Sequence, residues 1–562
     1  MRAGDEATGT MGDAVSSRPA SQAASLWERS AVHVAALVLY GALALLPLLG
    51  QEVDLANREA RHAEIAREMA ASDNYVVPML CGEVYRDKGP LFNWTVALLF
   101  RLTGRVDYFV ARLPSALSAV AVMVGIYLLG RRWLSARAGL LAVVIWATSF
   151  VVAVWARCCR TDMLMTCLLL FAVVLADGAA TAASRGRRAG LWLAACALAG
   201  LAALSKGPHP LLFFAFAAVL LWRARRGRWG PPVPLIVLAL GVFAALIGGW
   251  ALAAERAHPG YLALLTGHQL GEGLSQHAEP PYYYFVHVLL QTAPWGLFAA
   301  GAGWWTVRRW CRRGLDAAAV APLVFAALLV LHTLVTNKRI HYMLPALPWW
   351  ALWLGGFMAE AARPPAGRET VEGWPPAGAF QWPLLLILLV LTVAGLAGPF
   401  AWMKRVKVGV GVAAAVCVPL AALAAWGVAA LARGRAARAL ALLCAAAALI
   451  SVAWFPLWIR YAARPSKDVL AANELVRAVA AGVPLAAYGL QDEHLYFKLN
   501  RAVLFARDPG ELRAFLALPG PRCLITRADL ASEARGLSAR PLRQLLAWET
   551  QYRPGVLLCA EP

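Results

Sequence analysis

Apolar runs of roughly 18 to 22 residues, separated by short polar segments, recur from Ala31 to about Tyr461. At 1.5 Å per residue, each is long enough to cross a hydrocarbon core about 30 Å thick. The pattern predicts about thirteen membrane-spanning helices. They fall at roughly 31–50, 109–130, 138–156, 163–181, 189–204, 208–223, 233–253, 284–305, 316–335, 341–360, 383–402, 409–431 and 439–459. After about Ser466 the pattern changes. Short apolar runs at Val483–Tyr488, Val503–Phe505, Cys523–Thr526 and Val556–Cys559 alternate with helical periodicity at Val469–Ala480 and Pro509–Leu516. That alternation predicts a small α/β domain. The expected architecture is mainly α. A disordered cytoplasmic tail (1–30) precedes a transmembrane domain (31–460), and an extracytoplasmic α/β domain (461–562) follows it.

Composition agrees. The chain is 60% hydrophobic and 15% charged, against about 45–50% and 25% in globular proteins. The net charge of +21 would suit nucleic acid, but its distribution excludes that. Arg131/Arg132/Arg137, Arg185/Arg187/Arg188, Arg223/Arg225/Arg226/Arg228, Arg308/Arg309/Arg312/Arg313 and Arg433/Arg435/Arg438 all fall in short loops on one side, which the positive-inside rule makes cytoplasmic. The ten cysteines have no metal-type spacing, and Cys158 and Cys159 are adjacent, which suits neither a zinc site nor an easy disulfide.

One polar segment stands apart from this pattern. Gln51–Pro90, within the first external loop 51–108, carries Asp54, Glu59, Arg61, His62, Glu64, Arg67, Glu68, Arg86, Asp87 and Lys88. Its periodicity predicts a short helix over Glu59–Ala71, an ordinary amphipathic loop helix or one lying in the interface, with Ile65, Ala66, Met69 and Ala70 on one side and charges on the other. The threading puts this loop on the same face as Asp162, His268 and His277. Lys88, Arg157, Arg160, Lys206, Lys338 and Arg339 also fall there, against the orientation rule. Cations at the outer ends of spans suit an anionic group such as phosphate. Asp162 alone reads first as a helix N-cap or dipole partner, and a lone Lys equally as a snorkelling side chain. A loop His with a carboxylate can hold a divalent cation.

Several of these pieces recur together elsewhere. Glu59–Met69, Asp87-Lys88-Gly89-Pro90, Ala111-Arg112-Leu113-Pro114-Ser115, Arg160-Thr161-Asp162-Met163, Leu204-Ser205-Lys206-Gly207-Pro208 and Tyr342–Pro348 resemble, in order, the aminoarabinose transferase and protein mannosyltransferase family. These are GT-C class glycosyltransferases that use polyprenyl-phosphate sugars.

The resemblance implies an inner-membrane enzyme that inverts a sugar as it leaves an undecaprenyl-type phosphate. The acceptor would be a periplasmic lipid A, glycolipid, glycan or protein. It also implies catalytic carboxylates at Glu59, Asp162 or Asp54, and substrate or phosphate contacts from Arg61, Lys88, Lys206, Lys338, Arg339 and Tyr342. Asp87 and His268 match a site that holds a divalent metal (zinc, magnesium or manganese) in some members. Arg58 stands where the family commonly has an acid, so the base role falls to Glu59 or Asp54. A transporter, or a lipid-linked-sugar-binding protein without transferase activity, is the alternative. No internal repeat favours transport, and the notable charges sit at span ends rather than near a midplane.

Overall fold

The computed structural model describes residues 19–53, 59–225, 232–267, 278–362, 377–406, 409–461, 467–479, 482–549 and 554–560. Among them, eight helices are long and apolar enough to cross a membrane, or nine if one bent pair counts as a single span. Shorter apolar helices run over Ser30–Leu45, Leu91–Thr103, Ala136–Ala147 and His209–Ala224.

Local chemistry breaks several of the apolar runs. The run 138–156 divides into helices Ala136–Ala147 and Phe150–Trp155. At the break, Thr148 Oγ1 and Ser149 Oγ donate to the carbonyls of Val144 (2.6 Å) and Ile145 (2.7 Å), a local bonding pattern that bends or ends helices. The run 284–305 is bent by 113° between Tyr283–Gln291 and Trp295–Arg313. Pro294 lies at the bend and has no amide hydrogen to continue the helix. The run 341–360 starts as a 3-10 segment, Ile340–Ala346, that contains Pro345. Small residues let helices approach closely in lipid, and Ala195, Ala199, Gly200, Ala202 and Ala203 of the helix Arg185–Lys206 are buried.

The first loop is itself folded. A helix Ala60–Ser72 leads to a hairpin, β1 (Met79–Leu80) and β2 (Glu83–Val84), and then to the helix Leu91–Thr103. The first helix does not hold its charges outward. His62, Glu64 and Arg67 are buried along with Ile65, Ala66 and Met69. Leu91–Thr103 packs on it on one side and the C-terminal helix Glu493–Leu499 on another.

The C-terminal unit contains a five-stranded sheet. Its strands are β3 (Leu485–Tyr488), β4 (Leu504–Ala506), β5 (Arg522–Arg527), β6 (Leu542–Trp548) and β7 (Gly555–Ala560), in the order β4-β3-β5-β7-β6. β3 pairs in parallel with β4 and β5, while β7 runs antiparallel to β5 and β6. The pattern of apolar residues does not predict β6, because a bulge between Gln544 and Leu546 interrupts its alternation. Cys523 and Cys559 face each other across β5 and β7 and form a disulfide, which their spacing in sequence does not suggest.

Candidate active site

Helices Thr161–Thr181 and Arg185–Lys206 are consecutive and packed together, so the start of one lies near the end of the other. Asp162 lies in the first turn of the former and Lys206 ends the latter. Each charge complements its helix dipole. The Lys206 ammonium donates to Asp162 Oδ1, and both side chains are more than nine-tenths buried. The Lys206 Nζ also lies 4.7 Å from the centre of the Tyr342 ring.

The first loop delivers a second carboxylate and more cations to this place. Gly89 packs so tightly on the Leu204 carbonyl oxygen that a Cβ there would overlap it. The close approach brings Asp87 and Lys88 up to the end of Arg185–Lys206. Lys88 Nζ lies 3.2 Å from Asp87 Oδ2, the Tyr85 hydroxyl 3.3 Å, and Arg61 Nη1 3.6 Å.

Electrostatics couple the loop to the bundle. Burial lowers Lys88 most; Asp87 opposes that, and Arg160 and Lys206 reinforce it, so the ammonium titrates at about 8. Burial would raise Asp87, but Lys88 and then Arg61 outweigh it and bring the carboxyl to about 2. Burial, then Lys88 and Arg160, push His62 down to about 3, so it is neutral near pH 7. Its Nδ1 lies 2.9 Å from Asn93 Oδ1. Tyr342 lies within electrostatic reach of Arg339, Asp162, Asp87 and Arg160. Lys88, Arg61, Arg160 and Lys206 thus gather with the carboxylates of Asp87 and Asp162.

The other expected residues fall elsewhere or hold structure. Glu59 is fully buried and its Oε1 accepts from Arg112 Nε at 2.9 Å. The same guanidinium donates to the carbonyls of Leu49 (2.7 Å), Gln51 (2.7 Å) and Val53 (2.6 Å). Glu59 and Arg112 thus fasten the chain where it leaves the first apolar helix. A base role for Glu59 as well would require that pair to open. Lys338 is buried and donates to the Glu279 carbonyl at 2.9 Å. The Arg339 backbone is bound in both directions by the Tyr284 hydroxyl. Arg157 is buried under structural bonds to the Ala44 and Ala153 carbonyls, with Phe455 against it. Asp54, Arg58, His268 and His277 lie outside the described residues.

The metal expectation rests on Asp87 and His268. Among the described residues, no group of three or more His, Cys, Asp or Glu could hold an ion. Asp87 is engaged by Lys88, Arg61 and Tyr85, which leaves it a poor partner for a further cation. His268, the other expected ligand, lies outside the described residues, and no step of the proposed chemistry is routed through a metal.

Sequence reasoning missed Arg112 as the anchor of the loop, although a lone Arg in an apolar run is a visible signal. It also missed His341, which stacks on Trp155 (5.2 Å between ring centres) within reach of Asp162. Glu493, which meets Arg61 from the C-terminal unit at 3.3 Å, carries no sequence signal at all.

Residues 87–250 match the dolichyl-phosphate-mannose-protein mannosyltransferase family. An undecaprenyl phosphate-alpha-4-amino-4-deoxy-L-arabinose arabinosyl transferase of Pseudomonas fluorescens (strain Pf0-1) is 25% identical over 62% of this chain and 61% of its own. The transferase of that name from Edwardsiella ictaluri (strain 93-146) is 29% identical over 60% of this chain and 62% of its own. The chain thus spans about three fifths of the length of these relatives. The crystal structure of ArnT from Cupriavidus metallidurans bound to undecaprenyl phosphate superposes with a TM-score of 0.71 over 95% of this chain and 99% of that one, at 18% identity. Its apo structure gives 0.70. The resemblance read from the motifs is therefore borne out: the chain is similar to aminoarabinose transferases in sequence over about three fifths of its length, and it shares the fold of one over nearly all of it.

Proposed function

We propose that the chain is an integral-membrane glycosyltransferase that takes a sugar from an undecaprenyl-type phosphate and passes it to lipid A, another glycolipid, a glycan or a protein. One observation carries this reading above the others. Lys88, Arg61, Arg160 and Lys206 converge with Asp87 and Asp162 at one end of the helical bundle, where a lipid tail could stay in the bilayer and its phosphate reach water.

The chemistry follows from those charges. An acceptor atom attacks the anomeric carbon from the face opposite the phosphate. The bond between that carbon and the phosphate oxygen breaks, and its electron pair leaves with the polyprenyl phosphate. Lys88, Arg61 and Lys206 stabilise the charge that develops on the leaving phosphate. An ionised carboxylate, Asp162 or Asp87, takes the acceptor's proton. The aromatic face of Tyr342 holds the Lys206 ammonium against Asp162 until phosphate arrives.

The proposal extends to topology. About thirteen spans, with the bent and short helices counted, leave the site and the C-terminal unit outside the cytoplasm. The Cys523–Cys559 disulfide supports this placement, because disulfides persist in oxidising compartments such as a bacterial periplasm.

The test compares envelope glycolipids and glycoproteins by mass spectrometry, in cells with wild-type protein, with Asp162→Asn or Lys88→Ala, and without the gene. A sugar modification should vanish with the gene and fall about 100-fold in both variants, through lost proton transfer in Asp162→Asn and lost charge stabilisation in Lys88→Ala. An unchanged envelope, together with gradient-driven sugar uptake by vesicles lacking a lipid-linked donor, would establish transport instead.

A further inference from the structure

The role of the C-terminal α/β unit does not follow from its fold alone. Its helix Glu493–Leu499 docks directly on the first loop. Phe497 stacks on Phe100 at 6.2 Å and meets the Tyr108 ring edge-on at 5.0 Å. The Tyr108 hydroxyl and His494 Nδ1 are 3.1 Å apart, and Arg67 Nη1 donates to the Arg501 carbonyl at 3.4 Å. Lys498 pairs with Glu52, and Asn473 donates to the same carboxylate at 3.2 Å. Phe505 of β4 packs so closely over Gly82 of the hairpin turn that a Cβ at Gly82 would overlap its ring.

At the centre of this interface is Arg61. Its Nε donates to Glu493 Oε1 at 3.3 Å, and its Nη1 lies 3.6 Å from Asp87 Oδ2. Glu493 is buried and begins a helix capped by Asp492, whose Oδ1 accepts from the Leu495 amide at 3.0 Å. It is therefore held on a rigid element. Arg61 retains 20% of its side-chain exposure, enough to meet a ligand. Asp87 and Glu493, from two different parts of the chain, fix the plane of one guanidinium. A flexible Arg side chain loses rotamer freedom when ordered, so fixing it beforehand favours phosphate capture.

We propose that Glu493 is a positioning residue for Arg61, and that through it the C-terminal unit completes the donor-phosphate site. The inference rests on reading the cation cluster as that site. It assigns the C-terminal unit a part in donor binding, distinct from acceptor binding or simple cover.

The experiment measures binding of undecaprenyl phosphate to purified, detergent-solubilised full-length protein, together with donor KM, kcat and thermal midpoint. Glu493→Leu should weaken binding and lower donor kcat/KM about five- to tenfold, at the low end of inter-site couplings. Glu493→Gln keeps an oxygen that accepts from Arg61 Nε and should recover most of the affinity. Tighter binding in Glu493→Leu would overturn the proposal, because the carboxylate would then compete with phosphate for Arg61. So would a loss that follows the thermal midpoint and is not recovered by Glu493→Gln. Arg61→Ala separates the two levels of the argument. If it binds undecaprenyl phosphate as tightly as wild type, the phosphate site itself is misplaced. If it binds weakly while Glu493→Leu binds normally, only the positioning role fails.

Discussion

Two residues in the first loop make opposite uses of burial. Lys88 is a cation with a depressed pKa of about 8, lowered by burial and by Arg160 and Lys206 against the pull of Asp87. It is charged below that pH and loses its proton above it, so donor capture by the free enzyme should weaken as pH rises through 8. We expect kcat/KM for the donor to fall about tenfold per pH unit above 8. The corresponding limb in kcat should lie at higher pH, because bound phosphate stabilises the ammonium. Lys88→Arg should abolish the limb, since a guanidinium stays protonated throughout the range. A limb that persists in Lys88→Arg would assign it to another group. Glu59 instead gives up all exposure to neutralise Arg112, which holds three carbonyls at the loop entrance. Removing one partner of a buried ion pair costs about 3 to 5 kcal/mol. Glu59→Gln should therefore lower the thermal midpoint and the yield of folded protein, while the protein that remains folded turns over within about tenfold of wild type. Normal stability with turnover reduced more than about 100-fold would make Glu59 the base instead.

At the scale of elements, the site depends on one close approach. Asp87 and Lys88 reach the Asp162–Lys206 pair only because Gly89 lets the loop backbone press against the Leu204 carbonyl. Gly89→Ala adds a single methyl group, but its obstacle is backbone and cannot swing aside. The loop must then retreat, separating Lys88 from Lys206. We expect donor KM to rise at least tenfold in Gly89→Ala. Unaltered KM would mean that the loop has slack the structure does not suggest. The sequence revealed these elements unevenly. The charged loop, Asp162 and Lys206 stood out because charge is costly in an apolar chain. The breaks at Thr148–Ser149 and Pro294 were hidden inside apolar runs, since periodicity reports burial and not continuity. The helix Ala60–Ser72 had the right position but the wrong surroundings: Glu64 and Arg67 satisfy each other at 2.7 Å, so a charged face could be buried. Glu493 was invisible because its partner lies 432 positions away in sequence.

For the whole molecule, the two ends of the bundle differ in chemistry as the threading expects. Asp162, Lys206 and the first loop gather at one end. Asp177 lies near the opposite end of its helix, with Arg225 at 2.6 Å and Arg132 at 3.7 Å, both from the Arg-rich segments assigned to the cytoplasm. Which end faces outward can be read from cysteines already present. Cys523 and Cys559 are joined in the C-terminal sheet, while Cys311 is an exposed free thiol among Arg308, Arg309, Arg312 and Arg313. In intact spheroplasts, a membrane-impermeant maleimide should leave Cys311 unmodified until the membrane is permeabilised. Cys523 and Cys559 lie in the buried core of the sheet, so the orientation is read from Cys311. Labelling of Cys311 without permeabilisation would turn the protein over in the membrane. The cation cluster would then face the cytoplasm, where an extracytoplasmic acceptor cannot reach it, and the transferase reading would fail along with the topology.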